Sequence, residues 1–150
     1  MVKKLLLICM FHVVNFAISQ EILDAKNKLE AELVGEVTTD NRYISLTRSG
    51  TTGSKEGFVF YFKNLGFPEQ NDYCLVTFEA SRSELDLIYL AFRERFTFED
   101  SIEFKLHDAF LKIAFMSDPI RIRVVVIEEG QPMKWTDLKR EEVDRLFKMN

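Results

Sequence analysis

Cysteine and histidine are scarce: the chain has two of each among 150 residues. Two cysteines cannot build a disulfide scaffold, and once a signal at the start is removed only Cys74 and His107 remain, too few for a structural zinc site that needs about four such ligands. Only three prolines and six glycines occur, which excludes collagen-like and proline-rich low-complexity chains. No N-x-[ST] sequon is present. No run of about 20 apolar residues crosses the length needed for a transmembrane helix. With 47% hydrophobic and 29% charged residues, the composition is that of a folded globular chain.

The first residues read as a secretory signal. Lys3 and Lys4 supply the positive start, and Leu5 to Ile18 is apolar apart from His12 and Asn15. Ala17 and Ser19 put small residues three before and one before a cleavage point between Ser19 and Gln20. A lipoprotein anchor on Cys9 is excluded by bulky Ile8 before it. Cleavage divides the chain into a removed signal, 1–19, and a single globular domain, 20–150. It takes two lysines and no acid, moving the formal charge from −4 to −6. It also leaves one cysteine, Cys74, and one histidine, His107. A secreted domain with one cysteine and no sequon fits an exported protein of the bacterial cell envelope, periplasmic or extracellular, better than a eukaryotic secretory one.

Along the remaining chain, Ile22, Ala25, Leu29 and Leu33 fall at helical spacing, so 21–34 is expected to be a helix stopped by Gly35, with polar turn residues over 37–42. Strands are expected at Tyr43 to Thr47, Phe58 to Phe62 and Tyr73 to Glu79. The glycine-bearing stretch Arg48 to Gly57 between the first two reads as a mobile hairpin loop. Ser81 to Phe98 holds the clearest helix. Ser81 and Glu84 match a capping box, and Leu85, Ile88, Tyr89, Phe92 and Phe96 form one apolar stripe. Strands follow at Ile102 to Leu106, Phe110 to Met116 and Ile120 to Glu128. Thr136 is expected to cap a last helix with Leu138, Val143, Leu146 and Phe147 on its apolar side. The resulting order is α-β-β-β-α-β-β-β-α. Short links between strands favour antiparallel pairing, so the expected class is α+β: a two-layer sandwich of one mainly antiparallel sheet with helices packed on one face.

The sequence assembles no catalytic motif, and no catalytic, cofactor-binding or metal-binding residue is assigned. Cys74 and His107 are the one thiol–imidazole pair. Cys74, however, sits in the apolar run Tyr73-Cys74-Leu75-Val76, where a small core residue is expected. His107 beside Asp108 reads as a turn. The string Ser49-Gly50-Thr51-Thr52-Gly53-Ser54 lacks the strand-to-helix setting of a nucleophile elbow. Lys55 near Gly57 does not complete a phosphate loop. Asp72, Glu99, Asp100 and Asp118 are scattered and match no calcium loop.

Binding features are more definite. Lys105, Lys112, Arg121 and Arg123 fall on alternate positions of the last three strands and, if adjacent, form a basic stripe for lipid headgroups or an acidic protein; Glu103 can neutralise part of it. Phe67 in a loop and Trp135 before the last helix are aromatics that strand and helix periodicity do not explain, and mark a candidate partner surface. The acidic balance excludes long-range attraction to nucleic acid. The expected function is a non-catalytic binding or accessory domain. The alternatives are a carrier of a small apolar ligand, using the many phenylalanines as pocket walls, and an acidic inhibitor or immunity-type partner of a cationic enzyme. A small hydrolase using carboxylates or His107 ranks behind these.

Overall fold

The computed structural model describes residues 32–39, 41–106 and 109–148. The signal and its cleavage site at Ser19 and Gln20, the bulk of the first expected helix, and His107 with Asp108 lie outside the described residues. Eight strands and two helices follow one another: β1 (Glu32–Thr39), β2 (Arg42–Thr52), β3 (Lys55–Lys63), β4 (Tyr73–Ala80), α1 (Arg82–Glu94), β5 (Ser101–Lys105), β6 (Ala109–Ser117), β7 (Ile120–Glu128), β8 (Lys134–Leu138) and α2 (Arg140–Leu146). They make two antiparallel four-stranded sheets, β1-β2-β3-β4 and β5-β6-β7-β8, each a meander of neighbours followed by a helix.

This corrects the expected α+β order in three places. Residues 32–34 and Gly35 belong to a strand, not to the end of a helix: Gly35 pairs with Leu46 next to a register shift. A methyl group at Gly35 would overlap the backbone carbonyls of Arg145 and Leu146. The residue is therefore glycine because α2 lies directly on the strand. Second, the stretch Arg48 to Gly57 is a paired hairpin. β2 runs on through an irregularity between Arg48 and Thr51 and turns only at Gly53 and Ser54. Gly50 and Gly53 carry positive φ values of 85° and 66°, which mark the bulge and the turn. Third, Thr136 caps nothing. It is fully buried in β8, opposite Val124, and the last helix begins after Lys139. With two sheets in place of one, the molecule is mainly β.

The inner faces share one core. Ile44, Leu46, Phe58, Phe60, Phe62 and Val76 from the first sheet cluster with Leu111, Ile113, Ile122, Val124, Val126 and Leu138 from the second. Alternation along each strand produces this: Ile122, Val124 and Val126 are buried while Arg121, Arg123 and Val125 between them point outward. β8 lies across one end of the first sheet. The Trp135 N–H donates to Asn64 Oδ1 at 3.1 Å, Leu65 N–H donates to the Trp135 carbonyl at 2.9 Å, and Lys134 Nζ donates to the Tyr73 carbonyl. Arg42 donates to the Asp137 carbonyl and pairs with Glu142. The Trp135 N–H and carbonyl and the Asp137 carbonyl on the outer edge of β8 are thus engaged, which helps protect an edge strand from foreign pairing.

α1 forms as its sequence dictates. Glu84 N–H donates to Ser81 Oγ at 3.3 Å, and Ser81 N–H donates to Glu84 Oε2 at 2.7 Å, the reciprocal capping box. Its stripe packs against the core and α2: Phe92 meets Phe147 edge-on at 5.4 Å, and Tyr89 Oη donates to Asp144 at 2.9 Å. Arg93 pairs with the same carboxylate at 2.9 Å, clipping the two helices together.

Candidate ligand pocket

The first sheet, α1 and the start of the second sheet do not close completely. A cavity of about 300 Å³ lies between them. Leu46, Phe60, Val76 and Phe78 form its floor, Ile88 and Phe92 of α1 one wall, and Phe104, Leu106 and Leu111 the other. Ala80 is buried at the point where β4 hands over to α1, and its small side chain lines the cavity. Leu87 stands at the opening, 65% exposed, on the side of α1 away from the buried stripe.

Charge appears only at the rim, where Glu79, Glu84 and Lys105 meet the opening. Glu84 is held by the Ser81 backbone N–H and by Lys55 Nζ at 3.2 Å. These contacts, the backbone N–H foremost, pull its carboxyl down to about 2. A carboxylate held so far below neutrality cannot serve as a general acid. The lining is mostly side-chain carbon, so the site can desolvate and hold an apolar group.

The other candidates fall elsewhere. Cys74 is 3% exposed, packed opposite Phe62, and burial pushes its thiol up to about 12. That makes it a core residue and not a nucleophile. Asp72 accepts from Asn64 Nδ2 at 2.8 Å and pairs with Lys134, and Asp100 pairs with Arg95. Among the described residues no three His, Cys, Asp or Glu side chains converge as a metal site. Phe67 is 46% exposed in the β3–β4 link, beside Gly66, where an added methyl group would come within 3.1 Å of the Trp135 indole nitrogen. Phe67 does not line the pocket.

The four expected cations do share the outer face of the second sheet. Lys112 lies opposite Glu103 and Val125, Val125 opposite Trp135, and Arg123 opposite Asp137. Arg123 Nε donates to Asp137 Oδ1 at 2.9 Å, and its guanidinium lies 3.7 Å from the centre of the Trp135 ring. Arg121 Nε contacts Asp137 Oδ2 at 3.1 Å as an ion pair. Lys105 lies at the edge of that face, on β5 opposite Phe110, and also reaches the pocket rim. Periodicity alone did not reveal the pocket walls. The available signal was Leu87, an exposed leucine that lines the pocket from the face of α1 that should have been polar.

Compared with known protein families, curated proteins and solved structures, the chain matches none. Its function must be argued from its own residues.

Proposed function

We propose that the protein is a non-catalytic binding domain that holds a small apolar ligand in the cavity between β4, α1 and β5. The carrying observation is the cavity: about 300 Å³, walled by carbon, and charged only at its opening. An apolar cavity of ~150 Å³ accommodates one benzene ring, so twice that volume suits a fused ring system or a short acyl chain. Burial of the ligand's apolar surface supplies the affinity, at ~25 cal/mol per Å² before the costs of association. This favours a carrier over an acidic inhibitor, which rests on net charge alone. The reading includes export, on the strength of the signal over 1–19; a mature mass beginning at Gln20 is its check.

Titration with an environment-sensitive apolar dye, such as N-phenyl-1-naphthylamine, tests the site. Saturable binding by the native protein is expected. Ala80→Leu fills the cavity and should weaken it at least tenfold, with the unfolding midpoint in urea little changed. Equal affinity in the two proteins overturns the assignment of the ligand to this cavity.

A further inference from the structure

We propose that the outer face of the second sheet is a docking site for an extended acidic polypeptide, with Arg121 and Arg123 of β7 receiving its carboxylates. Charge is imbalanced on this face. Two guanidinium groups share one carboxylate: Asp137, whose side chain is 5% exposed, contacts Arg123 through both its oxygens and Arg121 through one. One positive charge remains uncompensated in a chain whose formal charge is −4. Asp137 fixes the Arg123 guanidinium with two hydrogen bonds, and it holds Arg121 only as an ion pair, so that the buried Arg121 Nε makes no hydrogen bond. Among the described residues the terminal nitrogens of Arg121 have no hydrogen-bond partner, nor does Nη1 of Arg123. These are preset donors of the fork geometry that matches a carboxylate.

Spacing and surroundings favour an extended peptide. Arg121 and Arg123 are two apart on one strand, so their side chains leave the sheet about 6.7 Å apart. An extended chain laid along β7 presents its own alternate side chains at the same period, so acidic residues two apart meet both arginines. Lys112, diagonal to Arg123 on β6, extends the positive strip, and Trp135 and Val125 supply apolar contact beside it. A lipid surface is disfavoured by the same face: Trp135 lies half-buried under Arg123 and does not protrude, and Glu103 and Asp137 oppose a planar anionic sheet.

Trp135 is the sole tryptophan, so its emission reports this face directly. Titrating the native protein with a hexaglutamate peptide should change that emission saturably, with the affinity falling at least tenfold between 50 and 300 mM NaCl. Arg121→Gln leaves the Arg123–Asp137 pair in place and should weaken binding about tenfold, and Lys112→Gln should weaken it less. Circular dichroism and dye binding in the pocket should stay unchanged in both variants, which separates this site from the ligand cavity. Absence of a saturable change overturns the proposal, as does undiminished binding by Arg121→Gln. A response to phosphatidylglycerol vesicles but not to the peptide also overturns it, assigning the face to lipid.

Discussion

The two sheets are built alike, yet their helices close differently. Each sheet is a four-stranded meander followed by a helix, and both helices pack against the first sheet. α2 lies flush. Gly35 lets its backbone carbonyls touch β1, Val143 and Leu146 are fully buried, and Glu142 ties it to Arg42. α1 leaves a cavity between itself, β4 and β5. The difference comes from what sits beneath each helix. A glycine under α2 brings two backbones into contact. Below α1, Val76, Ala80 and Phe92 line a space that no side chain fills. One helix is devoted to closing the fold, and the other can be given to a ligand.

Phe92→Ala should produce the largest effect. The ring is 2% exposed and joins α1 to Phe147 of the closed half, so its removal should cost about 3–5 kcal/mol in urea titration. A loss under ~1 kcal/mol would mean that α1 is not anchored as described. Gly35→Ala probes the flush half and should cost about 3 kcal/mol, because backbone and not a pliable side chain must yield. If it is neutral, α2 can lift and the contrast between the helices disappears. Ser81→Ala should cost about 1 kcal/mol through the lost cap of α1.

Acid sharpens the same point. The Glu84 carboxyl lies below its ordinary 4.5, at about 2. Its contribution to α1 is therefore complete above pH 4.5 and lost as the pH falls toward 2. Thermal midpoints measured over that range should fall more steeply in the native protein than in Glu84→Gln. Parallel curves would show that the cap does not govern α1.

The elements that sequence made legible are those that carry their own signal. The capping box at Ser81 and Glu84 and the stripe from Leu85 to Phe92 are local, and α1 forms there. β7 shows its alternation openly in Ile122, Arg123, Val124 and Val125. The strands that escaped notice depend on distant partners. β1 is exposed at most positions, so Leu33 could continue the helical spacing of Leu29 while the true constraint, α2 against Gly35, lay over a hundred residues away. β8 buries Thr136 and Asp137; Thr136 reads as a helix cap until the arginines of β7 are set beside its neighbour Asp137. The basic stripe was legible because it follows the period of two along neighbouring hairpins. The cavity was not, because it is a gap among four elements and belongs to none of them.

The bonds made by β8 also bear on the order of events when the chain folds. Hairpins β1–β2, β2–β3 and β3–β4 need only neighbours in sequence and can form early. Asn64 meets Trp135 across 71 residues, and Arg42 meets Glu142 across 100. Until residues 134–147 have been made, the buried side of the first sheet has no lid over that end, and its apolar rows remain open to other chains. The time between synthesis of β4 and docking of β8 is therefore the interval in which this protein is most exposed to misassembly, and a chaperone or rapid translation of that stretch would shorten it.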